Sequence, residues 1–111
     1  MSTNERIRRN MNELIIAVVD DAVTDWILSY AYLLKNPIKI TATHKQMNEH
    51  RKFKNADNFL KSEWFKFLTD YKITYDWIVN KMSICANYKY PYKAMIYFRN
   101  RIKYLLRNEL L

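Results

Sequence analysis

The sequence predicts an all-α protein, a compact bundle of four to five helices with a long N-terminal helix. Glycine is absent from the 111 residues, and a sheet built on two-residue hairpins needs residues that tolerate positive φ. Apolar residues recur at three- and four-residue steps along most of the chain, which is the period of a helix. Because this length suits one domain, we expect a single helical domain over residues 1–111.

The first helix is predicted from about Asn4 to Lys35, with Asn36 in a left-handed position after it and Pro37 preventing continuation. A break near residues 10–12 is an alternative, because the span is long for a globular helix. The heptad-like apolar pattern indicates either burial within the monomer or a homodimer through this helix. Its positions are Ile7, Met11, Leu14, Ile15, Val18, Ala22, Trp26, Tyr30 and Leu33.

Residues 37–55 are the most polar part of the chain. A short extended piece at its start and a short helix after Thr43 are the expected structures. We expect this segment to be a basic connection between the first two main helices.

The second main helix is predicted from Ala56 to Tyr71, with Asn55 or Asp57 as its N-cap. Aromatic residues cover much of its circumference, which is typical of a central helix that contacts several neighbours. Together with the next helix it is expected to supply the core positions Leu60, Trp64, Phe67, Tyr71, Ile78 and Met82.

A third helix is predicted to begin after the N-cap candidate Thr74, and a fourth to run from about Tyr92 to Glu109 after Pro91. The second and third helices have the lengths of a helix-turn-helix. A plain helical hairpin is favoured, because Asp76 would repel phosphate at the leading end of the third helix. The fourth helix is expected to bury Met95, Phe98, Ile102, Leu105 and Leu106.

No residue pattern indicates catalysis. Without glycine there is no Walker loop and no GxGxxG fingerprint. Cys85 is the only cysteine, so it forms no internal disulfide, and we expect it to be a small buried apolar residue. His44 and His50 are six residues apart and point in different directions on a helix, so no zinc pair is indicated. We therefore predict a non-enzymatic protein without cofactor, metal or small-molecule substrate.

The formal charge is +8, and it is unevenly distributed. Residues 1–34 carry three basic and five acidic side chains, residues 35–72 carry nine and four, and residues 73–111 carry seven and two. The excess is more than solubility needs, and it predicts that one surface contacts a polyanion or an acidic partner. Asp20, Asp21 and Asp25 are expected on a solvated helix face. Their one functional interpretation is an acidic patch that meets a basic partner.

The candidate site is the basic, tyrosine-rich stretch over residues 87–107. Lysine and arginine neutralise phosphates and release counterions, and tyrosine rings stack on unpaired bases or donate to phosphates. An amphipathic helix whose charged face meets water is the alternative. With three cations of the polar connection, the residues predicted to contact nucleic acid or an acidic surface of a host protein are Lys89, Lys93, Tyr97, Arg101, Lys103, Tyr104, Arg107, Arg51, Lys52 and Lys54.

The first residues lack the apolar segment of a signal peptide. No run of the sequence reaches the roughly twenty apolar residues of a membrane span. We therefore expect a cytoplasmic protein with no membrane partner.

Two segments, residues 22–37 and 59–79, carry the patterns AVTDWILSYAYLLKNP and FLKSEWFKFLTDYKITYDWIV. They resemble small uncharacterised helical proteins encoded in bacteriophage and prophage gene blocks. The resemblance covers about a third of the chain. It implies a viral accessory protein that acts stoichiometrically, on DNA or by occupying a host enzyme.

The sequence thus favours a nucleic-acid-binding accessory or regulatory protein. One alternative is a stoichiometric inhibitor, of the anti-CRISPR kind, that blocks a host nucleic-acid-handling or defence enzyme. Another is a self-assembling structural or adaptor protein built on the first helix.

Overall fold

Six helical segments form the chain in the computed structural model, which describes residues 2–110, with side chains for residues 2–108. They are α1 (Thr3–Lys35), α2 (His44–Lys61), α3 (Glu63–Leu68), α4 (Tyr75–Asn87), α5 (Pro91–Leu105) and a π-helical turn (Leu106–Leu110). The described residues contain no strand, which confirms the predicted all-α fold with a long first helix. In this part of the chain, none of the helices combines the length and apolarity that crossing a bilayer requires.

Helix α1 is continuous, so the predicted break near residues 10–12 does not occur. It begins with a capping box in which the Ser2 hydroxyl accepts from the Glu5 N–H at 3.2 Å, and the Glu5 carboxylate accepts from the Ser2 N–H at 3.4 Å. At its other end Asn36 has φ −129°, so the predicted left-handed conformation is wrong. Asn36 instead caps the helix with its side-chain amide, which donates to the Tyr32 carbonyl at 2.9 Å.

The C-terminal part of α1 is the centre of the bundle, because α2, α4 and α5 all pack against it. Val19, Val23 and Ile27 are fully buried there. Leu14, nine residues before Val23, is 66% exposed, since steps of about 100° place the two side chains on opposite sides of the helix. The heptad-like positions near the N-terminus therefore belong to a different face from the core.

Helix α2 joins two segments that the sequence analysis predicted separately. The Thr43 hydroxyl accepts from the Gln46 N–H at 3.1 Å, and the Gln46 side chain accepts from the Thr43 N–H at 2.9 Å. This capping box starts the helix twelve residues before the predicted start at Ala56. Asn55 and Asp57, which were predicted as N-caps, consequently lie inside the helix.

Ser62 separates α2 from α3 and changes which aromatic side chains are buried. Its backbone is extended (φ −73°, ψ 156°), and its hydroxyl accepts from the Phe65 N–H at 3.2 Å. One extended residue rotates the following turn, so Phe65 is fully buried, whereas Trp64 and Phe67 are each 63% exposed. The prediction that Trp64 and Phe67 belong to the core is therefore wrong.

The turn after α3 contains two residues with positive φ, Asp70 (54°) and Tyr71 (59°). The Tyr71 N–H donates to the Lys66 carbonyl at 2.7 Å, the long-range bond of a Schellman-type C-cap. Tyr71 is exposed in this conformation, so its predicted core position is also wrong. The other predicted core positions of this region are confirmed as buried: Leu60, Ile78 and Met82.

The two C-terminal helices begin where the sequence predicts. The Thr74 hydroxyl accepts from the Trp77 N–H at 3.2 Å and caps α4, and Pro91 takes the first position of α5. The predicted end at Glu109 is reached through the π-helical turn, since the α-helical part ends at Leu105. Helix α3 has six residues, too few for the first helix of a helix-turn-helix.

Asp57 joins three helices through one half-buried carboxylate. Its Oδ1 accepts from the indole Nε1 of Trp26 on α1 at 3.0 Å and from the hydroxyl of Tyr75 on α4 at 2.6 Å. Its Oδ2 lies 2.8 Å from the Lys61 Nζ on α2. Burial raises the pKa of the Asp57 carboxyl, but hydrogen bonds from Lys61, Tyr75 and Trp26 outweigh burial, so the pKa lies below its ordinary value.

We predict that Asp57 makes the free energy of unfolding depend on pH. Because the pKa of Asp57 is lower in the folded state, the charged carboxylate stabilises the fold above the unfolded value of about 3.9, and this contribution is lost as pH falls below it. Urea denaturation between neutral and acidic pH should show this decline. Asp57→Asn should reduce stability at neutral pH by about 1–3 kcal/mol and flatten the decline. Asp70→Asn is the control, since Asp70 is exposed and lies 3.8 Å from exposed Lys72.

We predict opposite outcomes for two adjacent aromatic residues. Phe65→Ala should cost about 3–5 kcal/mol in urea denaturation, because it leaves a cavity in the core. Trp64→Ala should cost no more than the roughly 0.5–1.5 kcal/mol of an aromatic pair, since Trp64 stacks on Phe67 with ring centroids 6.0 Å apart. Equal losses of stability in the two variants would contradict the change of buried face that follows Ser62.

Candidate nucleic-acid interface

A groove runs between α4 and α5 on the surface of the bundle. It consists of two adjoining cavities of about 360 Å³ and 330 Å³ that share Ile84, Cys85 and Tyr97. We call it the α4–α5 groove. The first cavity is also lined by Tyr88, Lys93 and Ala94, and the second by Trp77, Lys81, Phe98 and Arg101.

Helical spacing places the groove residues in two facing rows. On α4 Trp77, Lys81 and Ile84 recur at steps of four and three, a spacing that aligns side chains on one face, and Tyr88, the C-cap of α4, extends this row. On α5 the row of Lys93, Tyr97 and Arg101 has steps of four. Each helix thus presents one apolar face to the core and a mixed aromatic and basic face to the groove.

Small residues form the floor of the groove. The Cys85 Sγ lies 3.7 Å from the Ala94 carbonyl oxygen, which brings the two helices close together. Cys85 is buried, as predicted. Burial raises the pKa of its thiol, so Cys85 stays protonated at neutral pH and contributes packing rather than reactivity.

Aromatic and apolar surface in the groove faces solvent. Tyr97 is 72% exposed and Ile84 is 61% exposed, although both lie at the centre of the groove. Trp77 is supported from below by Phe98, whose ring centroid is 6.4 Å away. Apolar side chains gathered in one exposed concave surface are typical of a binding site.

Three cations line the groove, and a fourth lies in the connection between α4 and α5. The three are Lys81, Lys93 and Arg101, and the fourth is Lys89, whose Nζ lies 5.5 Å from the Tyr90 ring centroid. The described lining residues include no carboxylate. Within the part of the chain that the structure describes, none of the four cations belongs to an ion pair.

Other cations of α5 and the turn after it are paired with carboxylates of α1, so the prediction that Asp20 lies on a solvated helix face is wrong. Arg99 donates from Nε and Nη2 to the two oxygens of Asp20, both at 2.7 Å, and the Lys103 Nζ lies 3.5 Å from Asp20. Arg107 lies 3.1 Å from Glu13. Burial raises the pKa of Asp20, but its hydrogen bond and attraction to Arg99, together with Lys103, hold the pKa below its ordinary value.

The structure divides the predicted contact residues into three groups. Lys93, Tyr97 and Arg101 line the groove, and Lys89 lies in the connection between α4 and α5. Lys103 and Arg107 are already paired with α1, and Tyr104 is exposed on α5 but does not line the groove. The third group, which lies on α2 away from the groove lining, is Arg51, Lys52 and Lys54.

The α2 cations also have local polar neighbours. Arg51 donates to the Asn48 side chain at 2.8 Å, and Lys52 lies 3.7 Å from Glu49. Helix α2 packs against α1 and α3. The structure therefore does not join these cations to the α4–α5 groove in one surface.

The predicted site omitted the α4 wall of the groove, which consists of Trp77, Lys81, Ile84 and Tyr88. The sequence does indicate this wall, because Trp77, Lys81 and Ile84 recur at helical spacing beside the core positions of α4. The pairing of this row with a row on α5 depends on how the two helices pack. Spacing along one helix does not determine that arrangement.

No family model, curated protein or solved structure matches the chain. Among the described residues, no three His, Cys, Asp or Glu side chains are grouped so that they could hold a metal ion. The charge and shape of the groove are thus the basis for inferring a function.

Proposed function

We propose that the protein is a non-enzymatic nucleic-acid-binding protein, an accessory or regulatory protein of the phage type that its sequence resembles. The ligand contacts the α4–α5 groove. One observation carries this proposal: Lys81, Lys93 and Arg101 line the cavities that share the exposed ring of Tyr97, with no carboxylate among the described lining residues.

The separation of paired from unpaired cations supports a polyanionic ligand. The carboxylates of α1 neutralise Arg99, Lys103 and Arg107, whereas the groove cations face solvent. Like charges gathered on one concave surface repel each other, and a phosphate backbone relieves this repulsion while releasing its own counterions. The tyrosine rings add stacking surface that an inorganic anion would not use.

A stoichiometric inhibitor of a host nucleic-acid-handling or defence enzyme is the second candidate. The exposed stacked pair of Trp64 and Phe67 favours it, because exposed aromatic residues are frequent anchors of protein interfaces. Pull-down from nuclease-treated host lysate tests this candidate. A stoichiometric protein partner that Trp64→Ala and Phe67→Ala release would support it over nucleic-acid binding.

We predict that nucleic-acid binding weakens steeply with salt. Each phosphate contact contributes a slope of about −0.7 to −0.9 in log K against log salt, so four contacts give about −3. A fourfold rise in salt should therefore weaken binding about 60-fold. Fluorescence anisotropy with labelled DNA and RNA at several salt concentrations measures this slope.

The triple variant Lys81→Gln/Lys93→Gln/Arg101→Gln should bind weakly, with a slope reduced to about −1. Lys52→Gln/Lys54→Gln, which removes exposed cations of α2, should keep affinity and slope close to those of the unaltered protein. Absence of binding at low salt would refute the proposed function. If the slope of log K against log salt depends on the α2 cations instead, the assignment of the binding site to the α4–α5 groove is refuted.

A further inference from the structure

The geometry points to single-stranded nucleic acid as the ligand of the α4–α5 groove, with bases on its aromatic centre and phosphates on its basic rim. This inference rests on the proposed function and specifies the class of ligand. It follows from the positions of the rings and the cations relative to each other.

The centre of the groove is apolar and the charges are at its edges. Tyr97 and Ile84 belong to both cavities and are therefore central, whereas Lys93 lines only the first and Arg101 only the second. A duplex presents phosphates on its outside and keeps its bases stacked inside, so it would bring charge against this apolar centre. A single strand offers both bases and phosphates, which matches a ring platform with cations on either side.

The exposed rings suit stacking on unpaired bases. Tyr97 on α5 and Tyr88, the C-cap of α4, line the same cavity, which Lys93 also lines. Both rings are largely exposed, so a base can reach their faces without unfolding any part of the core. Stacking on tyrosine is tolerant of sequence, and we therefore expect little base preference.

The arrangement of the helices does not suit reading a duplex groove. A recognition helix enters the major groove as a projecting rod. Here the exposed faces of α4 and α5 form a concave surface between them, and Asp76 in the first turn of α4 would repel a phosphate. The 13 residues of α4 span about 20 Å, which provides room for only a few nucleotides.

Anisotropy titrations with three matched probes test the inference. The probes are a DNA strand of about 20 nucleotides, longer than the site of one small domain, an RNA strand of the same sequence, and the corresponding DNA duplex. We expect the single strands to bind about 10-fold or more tightly than the duplex at equal salt. Tyr97→Ala should weaken single-strand binding about 10-fold, and Tyr97→Phe should retain it, because the ring rather than the hydroxyl stacks.

Trp64→Ala is the matched control, since it removes an exposed aromatic ring outside the groove and should leave affinity unchanged. Duplex binding equal to or tighter than single-strand binding overturns this inference while leaving the proposed function intact. Loss of binding in Tyr97→Phe also overturns it, because stacking would then not be the contact. Absence of binding to all three probes refutes the proposed function itself.

A second inference rests on a different surface, the N-terminal part of α1. Four apolar residues at steps of four, three and four are all exposed there: Ile7, Met11, Leu14 and Val18. This spacing is the a and d seam of a coiled coil. We infer that the seam pairs with the same seam of a second copy of this chain, in antiparallel orientation.

The charges beside the seam determine the orientation. Arg6 and Arg8 lie on either side of the start of the seam, and Asp21 and Asp25 follow its end. An antiparallel pair places the arginines of one copy near the aspartates of the other, whereas a parallel pair would bring like charges together. The seam extends over only three turns, so we expect a weak dimer.

Sedimentation velocity across a range of protein concentrations tests this inference. We expect the average mass to rise from 13.6 kDa towards that of a dimer, and Met11→Glu/Leu14→Glu should remain a monomer. Ile40→Glu, which changes a residue that is 94% exposed outside the seam, should dimerise normally.

Charge reversal tests the orientation. Arg8→Glu and Asp21→Lys/Asp25→Lys should each dimerise more weakly, and a mixture of the two variants should pair better than either alone. A monomer up to about 1 mM, the limit of measurable weak association, overturns the inference. A dimer that persists in Met11→Glu/Leu14→Glu also overturns it, and a mixture that pairs no better overturns the antiparallel orientation.

Discussion

The arrangement of the basic residues depends on the ion pair between Asp20 on α1 and Arg99 on α5. Its two hydrogen bonds, both 2.7 Å long, have the geometry in which a guanidinium and a carboxylate bind most specifically. They agree with the rotation of α5 that buries Met95 and Phe98 in the core and leaves Tyr97 and Arg101 exposed. The same contact converts a uniformly basic helix into one neutralised face and one charged face.

Local sequence signals predicted the helices and several of their ends. Thr74 caps α4 and Pro91 starts α5 because each residue acts through its immediate neighbours. The burial of the central aromatic residues was not predictable in the same way. A single extended residue, Ser62, interrupts the helical recurrence of the apolar residues. Phe65 is therefore buried in the position expected of Trp64. Apolar spacing predicts a buried face only while the helix continues.

The candidate site was predictable only in part, for a related reason. Composition indicated that α5 is basic and rich in tyrosine, and Lys93, Tyr97 and Arg101 do lie in the groove. Lys103 and Arg107 have the same local sequence character, yet carboxylates more than eighty residues away in the chain neutralise them. Such pairing depends on tertiary contacts, which a single sequence does not reveal.

We propose that the unpaired cations and rings between α4 and α5, and not the basic residues as a whole, form the binding surface. An NMR titration of the ¹⁵N-labelled protein with a short single-stranded oligonucleotide locates this surface. We expect the largest chemical-shift changes at Lys81, Ile84, Tyr97 and Arg101, with small changes along α2. Changes concentrated at Arg51, Lys52 and Lys54, or the absence of any change at low salt, would contradict it.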